Sequence, residues 1–318
     1  MVRRILPLVL AISLPVLAGS SQAAERPAAT GHDGHARSHG GEDGALPPER
    51  PKRGLIYDGL RPGREGGPCD AGRGTGLLEI RHAGRMVGCT HGPDPAPGGI
   101  DVRDEVPTAE LEARAAAVEG QAVPCVGDGV SGYRTQAIYG YPSAGLNRSK
   151  EIVPLIREWA GSVVDAVFDA SAAKTGGSRH VRFVTDPQTC RLDVDVVAMP
   201  AQAVSDFGSM IAHLVNLGYT ATNRKFQVWM DTTGKYCGIA QIYLDDDPAQ
   251  TNFNNGHPAV PGMVARADAN CWGHGSGTPV EAHELMHNLG GVQNTAPNTT
   301  YIPFAAQGGH CRDDYDVM

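Results

Sequence analysis

At 318 residues, 41% of them hydrophobic, the chain has enough material for one sizeable domain and a smaller piece. Its 27 Lys+Arg against 35 Asp+Glu leave a net charge of −8. That excludes nucleic acid and anionic membrane surfaces as obvious partners, since both call for concentrated positive charge.

The first residues read as an export signal. Arg3 and Arg4 precede an apolar run from Ile5 to Ala18, and Ser21-Gln22-Ala23 offers small residues where a signal peptidase reads. Pro15 and the short length argue against a membrane anchor, and no other stretch is apolar enough to span. Residues 1–23 are therefore expected to be removed, giving a secreted protein with no membrane association in its mature form.

Residues 24–123 are expected to form a leader or pro-region, with a small independent module as the alternative. The early part, with His32, His35 and His39, has no apolar periodicity and reads as a solvated tail. Further on, Gly76 to Arg81 reads as a strand, Pro93 to Pro107 is rich in proline and glycine, and Thr108 to Val118 reads as a helix.

The main domain is expected over 124–318. Arg134 to Tyr139 suits a strand. Ile152, Leu155, Ile156, Trp159, Val163 and Val167 recur at helical spacing and predict a long helix, stopped at Lys174-Thr175-Gly176-Gly177 and tolerating Pro154 near its start. Strands are predicted over His180–Thr185, Leu192–Ala198, Lys225–Met230, Gly238–Leu244 and Met263–Ala267, with a helix over Ser205–Leu217. The order implies an α/β (α+β) fold, a mixed, mostly parallel sheet backed by two long helices.

A last helix is predicted over Thr278–Leu289, with Thr278 as N-cap, Pro279 at the first helical position and Gly290-Gly291 at its exit. It carries His283-Glu284-Leu285-Met286-His287. Residues four apart share one helix face, so both imidazoles can reach one metal ion while Glu284 stands beside the water that ion would bind. His283 and His287 are thus candidate zinc ligands and Glu284 the candidate general base. There is no Gly-x-Ser-x-Gly nucleophile elbow and no phosphate-cradling glycine loop.

The seven cysteines of an exported chain should mostly pair. Proximity suggests Cys69 with Cys89 and Cys237 with Cys271, and the odd count leaves one unmatched, for which Cys311 is the candidate. Asp245-Asp246-Asp247-Pro248 is a candidate calcium ligand cluster, with a solvated turn as the alternative.

The run His283-Glu284-Leu285-Met286-His287-Asn288-Leu289-Gly290, followed downstream by Asp316-Val317-Met318, resembles the metzincin clan of zinc metalloproteases. The resemblance extends over the order of elements from about Arg134 onward. It implies a peptidase acting on protein or peptide substrates, with Met318 as a hydrophobic floor under the metal. One departure matters: the clan's third ligand falls three residues after the glycine, where this chain has Gln293, and an amide oxygen is a poor zinc ligand. No glutamate follows Glu284, and His310 is the only histidine after His287. His310 is therefore the expected third ligand, with Gln293 and Asp314 as alternatives. The reading is a secreted zinc endopeptidase, expected to continue beyond Met318. Its rival is a secreted binding or structural protein with a vestigial metal site.

Overall fold

The computed structural model describes residues 46–318 except 65, 70–76, 119, 121, 250, 258, 259, 261, 275–278, 294, 300–308 and 312–317. The export signal, the histidine-rich tail, the Thr278 cap and Asp314 lie outside the described residues. All the described residues belong to one compact unit, Glu42–Met318. Described residues on either side of position 123 belong to this same unit.

Its centre is a six-stranded sheet in the order β4 (Pro93–Asp94), β8 (Gly238–Ala240), β9 (Met263–Asp268), β7 (Arg224–Met230), β5 (Arg134–Pro142), β6 (Val194–Met199). The four strands β9, β7, β5 and β6 run parallel, while β8 is antiparallel to β9 and β4 antiparallel to β8. This is the mixed, mostly parallel sheet the sequence predicts. A smaller antiparallel sheet joins β1 (Leu60–Pro62), β2 (Leu78–His82) and β3 (Arg85–Thr90).

Alternation along the central strands feeds two cores. Ala137 and Tyr139 of β5 and Trp229 of β7 face one side, where they meet Ile152, Ile156 and Trp159 of α2 (Ser149–Trp159), Leu111 of α1 (Thr108–Ala116), and Ala282 and Leu285 of α6 (Val280–Asn288). Ile138, Phe226, Val228 and Met230 face the other, against Phe207, Met210, Ile211 and Leu214 of α5 (Phe207–Asn216) and Leu78 and Ile80 of β2. β9 and most of β7 are buried on both faces, so that even their polar members Gln227, Arg266 and Asp268 lie in the interior.

The helix predicted up to Lys174 is one helical run in three parts, α2, a π-helical turn over Ala160–Asp165, and α3 (Ala166–Ala173). Within the turn, Asp165 is fully buried and accepts a 2.7 Å bond from the Val181 amide. That contact accounts for a difference from expectation. Residues 180–185 form bridges rather than a strand, since Val181 is tied to Asp165 and the segment meets β5 only around Thr135.

The helix predicted over Ser205–Leu217 is two helices, α4 (Ala201–Ser205) and α5, separated by an extended Asp206 whose side chain caps Ser209. The strand predicted over Gly238–Leu244 ends at Ala240. Beyond Gln241 the chain leaves β9: Ile242 donates to the Cys89 carbonyl at 2.9 Å, and the Tyr243 amide turns to the Asn254 side chain at 2.9 Å.

Three disulfides, Cys69–Cys89, Cys125–Cys190 and Cys237–Cys271, include both expected local pairs and leave Cys311 outside them. Such bonds fit an oxidising, extracytoplasmic compartment. Among the described residues, no helix is long and apolar enough to cross a membrane.

Candidate metal centre

The helix α6 is held at both ends by buried polar side chains on one face. Near its start, Glu281 accepts the Gly273 amide at 2.7 Å and the Trp229 indole N–H at 3.4 Å. At its last residue, Asn288 donates from Nδ2 to the Gln241 carbonyl at 2.7 Å and the Val264 carbonyl at 3.2 Å. Burial pushes the Glu281 carboxyl up to about 7. Glu281, Leu285 and Asn288 thus anchor the inner face, and His283 and His287 project from a neighbouring one.

After α6 the chain reverses at Gly290, whose φ of 85° only glycine adopts readily. The reversal brings the Gly291 carbonyl back to His287, where it lies 3.2 Å from Nδ1. An Nδ1–H donated there fixes the tautomer and leaves the Nε2 lone pair pointing away from the turn. Burial, reinforced by the neighbouring histidines, holds the His287 pKa well below the ordinary value and keeps the ring neutral.

Three histidines converge. His283 Nε2 lies 3.1 Å from His287 Nε2 and 3.2 Å from His310 Nε2. Bonds of about 2.0–2.1 Å to a tetrahedral zinc set nitrogen–nitrogen separations of about 3.3–3.4 Å, so these spacings suit a shared cation. The donor chemistry agrees, because imidazole nitrogen is one of the common ligands of zinc. The alternative Gln293 is engaged elsewhere, its amide donating to the Tyr243 carbonyl at 3.1 Å and the Gly290 carbonyl at 2.9 Å.

Glu284 is fully buried, and neither carboxylate oxygen has a hydrogen-bond partner among the described residues. Burial and then the charge of Asp94 raise its pKa well above the usual carboxylate range. An orphaned buried carboxyl is costly unless a ligand completes it, and such groups cluster at functional sites. Gly238 on β8 makes room for it: a Cβ there would fall 2.0 Å from Glu284 Oε1.

Two residues that sequence reasoning did not single out complete the cluster. Asp94, on β4, places Oδ2 3.0 Å from His283 Nε2 and Oδ1 3.1 Å from His310 Nε2. His91, just before β4, is buried with its ring centroid 3.9 Å from that of His287, and both its nitrogens lack hydrogen-bond partners among the described residues. Burial pushes its pKa down to about 3. For Asp94, burial opposes ionisation, but His91, His283 and His310 outweigh it and hold the carboxyl well below its ordinary range. Within this cluster, one group of His91, Asp94, His287 and His310 and another of Asp94, His283 and Glu284 each bring their ligand atoms within 4.8 Å of one another. The cluster can hold a metal ion.

Other candidates stand apart. Asp245 accepts the Asp247 and Phe253 amides and Asp247 accepts the Ala249 amide, so those carboxylates cap a turn. His274 Nε2 lies 3.0 Å from the Asn270 carbonyl, and His257 stacks on Phe253. No protein-family model, curated protein or solved structure matches the chain.

Proposed function

We propose that this protein is a secreted zinc-dependent endopeptidase of metzincin-like architecture, with His283, His287 and His310 as ligands and Glu284 as general base. The observation that carries the proposal is His283 Nε2 lying 3.1 Å from His287 Nε2 and 3.2 Å from His310 Nε2, beside the fully buried Glu284 carboxyl. A zinc ion held there would supply a Lewis acid and a bound water acidified towards neutrality. Glu284 takes the proton of the attacking water on its carboxylate and returns it to the leaving amine nitrogen of the cleaved peptide. By resemblance to the metzincins Met318 would form the hydrophobic floor of the site; it is buried, and its carbonyl accepts the Cys311 amide at 3.0 Å.

Metal analysis of the purified chain tests this directly. Stoichiometric zinc is expected, lost in His283→Ala, His287→Ala and His310→Ala. Casein cleavage should be abolished by a chelator and by Glu284→Gln, assayed both in the parent and in an Asp94→Ala background, because Asp94 reaches the same site. A chain that takes up no zinc ends the proposal. Zinc binding without cleavage in either background would instead favour a binding protein with a vestigial site.

A further inference from the structure

Asp94 stands among the three histidines as a ligand would. Its two oxygens lie 3.0 Å from His283 Nε2, 3.1 Å from His310 Nε2 and 3.9 Å from His287 Nε2, which puts one carboxylate over all three donors. Zinc sites that keep three protein ligands have an open fourth position for water or substrate, whereas sites with four protein ligands are closed. A carboxylate in reach of all three imidazoles competes for that fourth position.

The segment carrying Asp94 is built into the fold. Pro93 and Asp94 pair with Ile239 and Gly238 as an antiparallel edge strand. Upstream, Cys89 is tied to Cys69 and its carbonyl accepts the Ile242 amide at 2.9 Å. His91, between these anchors, packs its ring against His287. Downstream, the Ala96 amide donates to the Arg53 carbonyl at 2.8 Å, and Ala96 and Val102 are buried in the core that also contains Ala282 and Leu285 of α6. Strand pairing, a disulfide and core burial all hold the carboxylate in place, so its position is set by the same fold that sets the histidines.

We infer that Asp94 is a fourth protein ligand to the metal, occupying the position of the reactive water, so that the chain folds in a self-blocked state. The inference rests on the metal-centre reading above and adds its regulation: activity requires that the β4 segment be withdrawn from the site. A metal ion held by the histidines would take the Asp94 carboxylate in place of water, with no bond of the protein made or broken.

Cobalt(II) in place of zinc provides the test on the full chain. Asp94→Ala, and Asp94→Asn as a shape-preserving second variant, should alter the visible absorption of the bound cobalt as water replaces an anionic oxygen. Zinc affinity should fall by about tenfold or more, the scale on which even supporting residues of a zinc site act. Casein turnover at equal zinc occupancy should rise by at least about tenfold, a change in free-energy barrier of about 1.4 kcal/mol. Unchanged cobalt spectra and zinc affinity in both variants would overturn Asp94 as a ligand. Altered spectra without a gain in turnover, in a chain whose residual cleavage still depends on Glu284, would overturn the blocking role. If neither parent nor variants bind cobalt, the metal-centre reading itself falls. If they bind it but none cleaves casein, the peptidase reading falls while the spectra still decide the ligand.

Discussion

Gly238→Ala isolates the positioning of the general base. The added Cβ would lie 2.0 Å from Glu284 Oε1, 2.7 Å from Cδ and 2.8 Å from Cγ. Heavy atoms in comfortable contact are separated by roughly 3.5–4.0 Å, so the Glu284 carboxylate must retreat by about 1.5 Å or β8 must move with its neighbours. A displacement of about 1 Å in a reacting group costs on the order of a hundredfold in rate. The backbone itself accepts alanine: Gly238 lies in a strand, its φ is not positive, and removing a strand glycine stabilises by roughly 0.5–1 kcal/mol. The expected result is therefore split, with kcat on casein down by about a hundredfold while the thermal midpoint and zinc content stay near the parent values. The comparison belongs in an Asp94→Ala background, where the fourth position is open. A kcat within about threefold of that parent would refute the assignment of Glu284 as a base held by this contact.

Lys225 predicts a pH-dependent stability. Lys225 is partly buried; its Nζ donates to the Asn254 carbonyl at 2.5 Å and is pushed down by burial from its ordinary 10.5 to about 7. The unfolded chain then holds more protons than the folded one between those values, so stability rises with pH across about 7 to 10.5, by a total of about 4 kcal/mol. Lys225→Met should be the more stable protein by that order at pH 7 and lose its advantage towards pH 10.5; urea denaturation showing a pH-independent difference would contradict this. Arg266 and Asp268 form a fully buried ion pair, with Nε 2.6 Å from Oδ1. Arg266→Ala should cost about 3–5 kcal/mol by leaving the carboxylate alone in the core, and Asp268→Asn added to it should recover part of that in the same assay. A double variant no more stable than the single one would show that the loss comes from packing.

What the sequence reveals of this site follows from the range of the interactions that build it. His283, Glu284 and His287 are legible because helical periodicity is local: four residues fix their common face wherever the helix is placed. His310 emerges by elimination, since no other histidine follows His287. Asp94 has no such marker. It lies 189 residues from His283 along the chain, in a proline- and glycine-rich stretch whose strands are two to six residues long and carry no readable alternation. What places it is pairing of β4 with β8, a contact decided by tertiary packing, and the same holds for Gly238, whose lack of a side chain matters only because Glu284 is opposite. A composition that suggests a detachable leader is equally that of short edge elements whose order comes from the sheet they cover. His91-Gly92-Pro93-Asp94, a histidine and a carboxylate three apart just after Cys89, is the one local signal that could have drawn attention. The consequence for mechanism is physical: ligands on α6 are preorganised by a helix pinned through Glu281 and Asn288, whereas Asp94 depends on a two-residue strand at a sheet edge. Withdrawing Asp94 therefore means breaking the β4–β8 pairing at the sheet edge against the hold of the Cys69–Cys89 disulfide and the buried Ala96 and Val102, while the four parallel strands stay paired.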